Sequence, residues 1–199
     1  MSLAIIDSGG ANISSVVFAC QRLGVEPVFT SDPETIIAAE RVILPGVGAA
    51  GSAMDHLKAN GLVDCIRNLT QPVLGICLGM QLLFESSTEG DTPCLGIIPE
   101  TLDLLPSDKD LRIPHMGWNS IQPQSPDQLT QGLPAKPWFY FVHSYAAPLG
   151  EYTIAASTHG QAFSAIVRYK NFCGVQFHPE RSAKDGALLL KNFLRSPCS

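Results

Sequence analysis

Cys77 is the residue whose surroundings best suit it for nucleophilic chemistry. The segment Leu74-Gly75-Ile76-Cys77-Leu78-Gly79-Met80-Gln81 ends an apolar run, places glycine two residues before and two after the cysteine, and continues into a helical pattern. This is the G-x-S-x-G spacing of a nucleophile elbow with Cys in place of Ser. A sharp strand-to-helix turn crowds its neighbours, and glycine lacks the Cβ that would clash. At a helix N-terminus the macrodipole favours a thiolate over a thiol. The unsatisfied backbone N–H groups there can donate to a developing oxyanion, and Leu78 N–H is the natural candidate. Gly-rich turns also carry incidental cysteines, so the spacing is suggestive and needs a base beside it.

The chain offers His56, His115, His143, His159 and His178. His56 falls in a helical pattern and reads as a surface residue. His159 precedes Gly160 in an expected turn, and His143 follows an aromatic strand from which it could line a pocket. His178 differs because Pro179-Glu180 follows it. Proline keeps the preceding residue extended, and residues i and i+2 of an extended stretch project to one side. Glu180 can then accept the second imidazole N–H and fix its tautomer and orientation. Taken alone, His-Pro-Glu also reads as a loop with a solvated carboxylate. A third piece, Leu44-Pro45-Gly46-Val47-Gly48, again follows an expected strand, and an amide of Val47 or Gly48 could be a second oxyanion donor.

These pieces need elements to hold them. The first half alternates short apolar runs with helical patterns: strands over 3–6, 27–30, 41–44 and 72–76, helices over 13–23, 52–59, 62–69 and 80–84. Near-continuous apolar strands alternating with helices imply a parallel sheet covered on both faces. From about 95 to 158 prolines become frequent, and β-rich pieces at 138–142 and 152–155 suggest antiparallel additions. A strand over 173–177 leads into His178, and a last helix is expected over 184–194. Cys77 and His178 are 178 − 77 = 101 residues apart, yet both close expected strands. In an open α/β sheet the carboxyl ends of strands are where ligands bind.

A chain of 199 residues, 45% hydrophobic and 16% charged, is expected to form one globular domain over 1–199 with no need of a disulfide or metal. The net charge of −5, with no long Lys/Arg run, argues against nucleic-acid binding. The N-terminus reads straight into a strand without the basic region of a signal peptide, and no apolar stretch approaches the ~20 residues of a membrane span. A cytoplasmic protein is expected. Cys20, Cys65, Cys77, Cys94, Cys173 and Cys198 stand singly with no C-x-x-C pair, so neither zinc nor dithiol redox chemistry has its spacing.

Gly75-Ile76-Cys77-Leu78-Gly79-Met80-Gln81, Pro45-Gly46-Val47-Gly48 and Val175-Gln176-Phe177-His178-Pro179-Glu180 together resemble class I (triad-type) glutamine amidotransferases. Three further segments are Pro114-His115-Met116-Gly117-Trp118-Asn119, Tyr140-Phe141-Val142-His143-Ser144-Tyr145 and the Arg181-Ser182 continuation. They are similar to the branch that supplies ammonia to imidazole glycerol phosphate synthase in histidine biosynthesis. The resemblance runs from Asp7-Ser8-Gly9-Gly10-Ala11-Asn12 to the last helix. It implies a flavodoxin-like, mostly parallel sheet with helices on both faces and an antiparallel β addition. It also implies that Cys77 attacks the amide of L-glutamine, His178 transfers protons and Glu180 orients His178. Val47, Gly48 and Leu78 would form the oxyanion hole, and Gly48, Gln81, Glu89, Ser144 and Tyr145 would hold glutamine. No cofactor, metal, nucleic acid or membrane is implied; the partner would be a (β/α)₈ cyclase subunit in a heterodimer. By themselves Gln81 reads as an exposed helix residue, and Glu89 and Ser144 as ordinary surface or loop residues. A Cys-His-Glu peptidase or hydrolase, a non-catalytic module of the same fold, and a glutaminase serving another synthase stay open on residues alone.

Overall fold

The computed structural model describes residues 1–10, 13–107, 109 and 111–195. Ala11, Asn12 and Cys198, singled out above, lie outside the described residues. The apolar run Leu3–Ile6 forms β1, buried along its whole length, and α1 (Ile13–Arg22) returns across the sheet. β2 (Val28–Thr30), α2 (Pro33–Ala38) and β3 (Arg41–Leu44) follow. Then come α3 (Ala50–Ala59), α4 (Leu62–Arg67), β4 (Val73–Ile76) and the single turn α5 (Leu78–Gln81). β5 (Phe84–Ser87), β6 (Thr92–Pro93), β7 (Ile98–Leu104), β8 (His115–Ser120), β9 (Gln122–Pro123), β10 (Trp138–His143) and β11 (Tyr145–Ala146) make the middle of the chain. β12 (Thr153–His159), β13 (Gln161–Tyr169), β14 (Phe172–Val175) and α6 (Ala183–Arg195) complete it.

Among the described residues the main sheet has eight strands, in the order β2-β1-β3-β4-β14-β13-β12-β9. β2, β1, β3, β4 and β14 run parallel, and β13, β12 and β9 extend the sheet antiparallel. This is the expected mostly parallel sheet with its antiparallel addition. β8 and β10 form a separate ribbon, and β11-β7-β5-β6 a small second sheet. Alternate residues of β1 divide the core: Leu3 and Ile5 join one apolar cluster with α1 and α6, Ala4 and Ile6 the other with α2, α3 and α4. Both faces are therefore covered, as a parallel sheet requires. Among the described residues no helix is long and apolar enough to cross a membrane.

Two expectations are corrected. The helix expected over 80–84 is α5 at Leu78–Gln81, and Phe84 opens a strand instead. The cause is tertiary: Leu95 N–H donates to Leu82 O, Ile97 and Ile98 N–H to Leu83 O, and Gly96 N–H to Phe84 O. These bonds take the carbonyls that a longer helix would need. The second is α2, for which no helix was expected. Its start is written in the sequence: Asp32 accepts from the N–H groups of Glu34 and Thr35, and Pro33 occupies the first helical position.

Candidate active site

β4 and β14 lie side by side in parallel register, with Ile76 opposite Val175. The residues that follow each strand therefore emerge together at the carboxyl edge of the sheet. Cys77 N–H donates to Val175 O at 2.8 Å, tying the elbow to the neighbouring strand. Cys77 itself has φ 52° and ψ −111°, a backbone state that L-residues rarely adopt and that surrounding structure must hold. Packing of backbone against backbone does so. A Cβ at Gly79 would fall on the Leu44 carbonyl, and one at Gly75 would lie 2.7 Å from Gly79 O. β3, β4 and α5 thus close on the thiol with no room for side chains between them. With α5 a single turn, the dipole at Cys77 is that of one turn, less than the longer expected helix would supply.

His178 lies just beyond β14 in extended conformation, and Pro179 starts a 3₁₀ turn over Pro179–Arg181. Glu180 therefore meets the imidazole from a turn; the expected extended i, i+2 path is not the one used. The contact forms regardless, with His178 Nδ1 2.9 Å from Glu180 Oε1. That leaves the other ring nitrogen for the Cys77 thiol, which lines the same cleft as His178. The His178 backbone is pinned from both sides. Its N–H donates to Tyr140 O at 2.9 Å. Its carbonyl accepts from Ser182 Oγ at 2.6 Å, and Ser182 Oγ accepts from Tyr140 N–H at 3.0 Å. Burial pushes His178 down, but the hydrogen bonds to Cys77 and Glu180 and their negative charge outweigh it, and the group is pushed up to about 10. Cys20 shows what burial does alone to a spectator thiol: it is raised to about 11.

A cleft of about 270 Å³ opens over the thiol, of a size for one small polar molecule. Its lining includes Cys77 and His178, the expected oxyanion residues Val47, Gly48 and Leu78, and the expected glutamine-holding residues Gln81, Glu89, Ser144 and Tyr145. Glu180 sits behind His178, outside this cleft, on a second small cavity shared with Ser8, Gly10 and Val47. Gly48 has φ +97°, open to glycine and strained for other residues. Gln81, which alone reads as exposed, is buried, donating from Nε2 to Tyr145 O at 2.9 Å and to Gln176 Oε1 at 3.1 Å. Glu89 Oε2 accepts from Ala50 N–H at 2.8 Å, so α3 holds this carboxylate at the rim. Among the described residues no His/Cys/Asp/Glu group is arranged to hold a metal.

Sequence reasoning assigned no chemistry to Gln176, His115 or Val142. Gln176 is fully buried, with Nε2 4.0 Å from Cys77 Sγ, and Cys77 Sγ is 3.7 Å from Val142 O. The one available signal was a glutamine set inside the apolar strand pattern Val175-Gln176-Phe177, a costly place for an amide without partners.

A fold of this class, with a cysteine and a histidine on one cleft and a glutamate behind the histidine, defines a triad-type amidohydrolase scaffold. The family Glutamine amidotransferase class-I matches residues 4–196, and the chain belongs to it. Over 192 residues it is 52% identical to imidazole glycerol phosphate synthase subunit HisH of Xanthomonas campestris pv. campestris, covering 96% of each chain. It is equally 52% identical, over the same coverage, to the HisH subunit of Xylella fastidiosa strain Temecula1. Among solved structures a glutamine amidotransferase superposes with TM-score 0.74 at 19% identity, covering 98% of this chain and 97% of that one. Another, from Thermotoga maritima, superposes with TM-score 0.68 at 16% identity, covering 98% and 96%. The fold is theirs.

Proposed function

We infer that this chain is the glutaminase subunit of imidazole glycerol phosphate synthase, acting over residues 1–199 as one glutamine amidotransferase domain. It hydrolyses glutamine to glutamate and ammonia, and the ammonia passes to the cyclase subunit, which forms imidazole glycerol phosphate and aminoimidazole carboxamide ribotide. The observation that carries the reading is His178, held 2.9 Å from Glu180, sharing an amino-acid-sized cleft with Cys77.

The chemistry follows from that geometry. Cys77 Sγ attacks the side-chain carbonyl carbon of glutamine, forming a C–S bond. The charge that develops on oxygen is met by backbone N–H groups at Leu78 and the Val47-Gly48 loop. Imidazolium at His178 gives its proton to the departing nitrogen, the C–N bond breaks, and ammonia leaves a thioester. Neutral His178 then takes a proton from water as it attacks the thioester, the C–S bond breaks, and thiolate and imidazolium are restored. Glu180 keeps the imidazole oriented and stabilises its charged form. Gln81, Glu89, Ser144 and Tyr145 hold the amino-acid end of the substrate; one oxygen of Glu89 is fixed by Ala50 N–H, leaving the other for an ammonium group. Gly48 can turn its peptide at little cost, which suits a loop that completes the oxyanion hole only in the productive complex.

The outward face of the β8–β10 ribbon carries Met116, Trp118 and Trp138, each about half or more exposed, beside Tyr140 and Val142. Aromatic and methionine side chains of this kind anchor interfaces, and Val142 leads from this face into the cleft. This face is proposed to meet the cyclase subunit, in the cytoplasm. Trp118→Asp is expected to weaken the complex by tenfold or more in a titration; unchanged affinity would remove this surface from the interface.

The deciding experiment is glutamate release from glutamine, by the chain alone and with the cyclase subunit carrying its nucleotide ligand. Partner-stimulated turnover that Cys77→Ala abolishes supports the reading. No turnover in any mixture would refute it.

A further inference from the structure

A single carbonyl oxygen fixes the protons along a chain of side chains that ends at Cys77. Tyr145 O receives Gln81 Nε2 at 2.9 Å and His143 Nδ1 at 2.9 Å. A carbonyl cannot donate, so both nitrogens carry hydrogen. The other hydrogen of Gln81 Nε2 points at Gln176 Oε1, 3.1 Å away. With its oxygen taken, Gln176 faces Cys77 Sγ with its NH₂ group, at 4.0 Å. Turning the Gln176 amide over would oppose two NH₂ groups and set an oxygen against the sulfur. The same logic runs outward from His143. With hydrogen on Nδ1 and no second proton, its Nε2 must accept, so His115 Nδ1 donates across 2.9 Å. His115 Nε2 then accepts from Asn119 Nδ2 at 3.3 Å, and Asn119 Nδ2 also donates to Thr158 O at 3.0 Å. Burial keeps both rings neutral, which this pattern requires.

The sulfur needs such a donor. Val142 O, 3.7 Å away, suits a thiol hydrogen and opposes a thiolate. His178 offsets this on one side, and Gln176 is the amide group on the other. We propose that Gln176 is a further catalytic residue of the glutaminase reaction, its Nε2–H donating to Cys77 sulfur and favouring the thiolate, with Gln81 and His143 as positioning residues that keep the donating face toward it. The proposal rests on the glutaminase reading above. A donor to an ionised group strengthens with its charge, so the Gln176 contact, 4.0 Å long here, tightens on the thiolate and slackens in the thioester.

Gln176→Met keeps length and removes the donor. In the full chain, alkylation of Cys77 by iodoacetamide at pH 7 is expected to slow about tenfold, the equivalent of one hydrogen bond to a charged group. Its pH profile should move to higher pH, with Cys77→Ala as the blank. In the complex kcat for glutamine should fall by a similar factor with KM little changed. Gln81→Met should act in the same direction and less. An unmoved alkylation profile in folded Gln176→Met, or a moved profile with kcat intact, overturns the proposal. Should the variant not fold, wild-type protein with ¹⁵N-labelled glutamine side chains decides: the Gln176 amide resonances must shift as Cys77 ionises and stay fixed in Cys77→Ala. Absence of glutamine turnover by the wild-type complex would count against the glutaminase reading itself, whereas intact turnover with an unmoved profile counts against Gln176 alone.

Discussion

His178 and His143 line the same cleft and are almost equally shielded, at 7% and 6% exposure. Burial is the largest influence on both, and on both it disfavours charge. His143 meets only a carbonyl and a second imidazole, so burial wins and the ring is pushed down to about 3. His178 meets the Glu180 carboxylate and the Cys77 sulfur, and the ring is pushed up to about 10. One side of the cleft thus stores a proton and the other excludes one. Depth in the protein does not decide a histidine's role; the charge of its two hydrogen-bond partners does.

That contrast can be broken most sharply by deletion. His178→Ala should lower kcat by on the order of 10⁴ or more, as removal of a member of a nucleophile–base pair does. His143→Leu should cost about tenfold, since it disturbs the Tyr145 carbonyl, the Gln81 amide beyond it and the His115 ring, none of which transfers a proton in the reaction. Equal losses in a partner-stimulated glutaminase assay would erase the distinction. Glu180→Gln comes next, with a loss of about 10²–10⁴, because the amide cannot balance an imidazolium and favours the wrong tautomer.

A smaller effect sharpens the comparison through stability. His178 is raised above its unfolded value of 6.5, so its contribution is fully present below pH 6.5 and is lost as pH rises toward about 10. His115 and His143 are lowered, to about 4 and about 3, so theirs is present above pH 6.5 and is lost as pH falls through those values. Denaturant midpoints measured from pH 4 to 10 should fall on both sides of neutrality. Glu180→Gln should flatten the alkaline limb alone and His143→Leu the acid limb alone; either variant flattening both would show the two groups to be coupled. The smallest effect expected is at Gly48→Ala, about 1–2 kcal/mol from its positive φ in open space, with kcat falling more than stability.

Much of this arrangement was legible beforehand. β1, β3 and β4 announce themselves as apolar runs because both their faces are buried, and Cys77 and His178 because glycine and proline leave few backbone choices around them. Gln81 was not, since its burial depends on Tyr145, 64 residues away, and on Gln176, 95 away. β5 escaped for a related reason: residues 80–84 have a helical pattern, and only the chain at 95–98 diverts it. The His115–His143 pair follows from the pairing of β8 with β10, which places those two residues opposite each other. Local spacing reveals what the backbone constrains and conceals what a distant strand supplies.

The register of β4 against β14 has a consequence for how this chain can change over time. Cys77 and His178 meet because Ile76 stands opposite Val175, whatever length of chain joins them. A one-residue slip would carry His178 about 3.3 Å along the sheet and reverse its side. Loops between them that carry no cleft residue are thus free to grow or shrink, while deletion of one residue within 73–77 or 172–178 would end the reaction. Descendants of such a chain can remodel the surface they present to other proteins and inherit the chemistry unaltered.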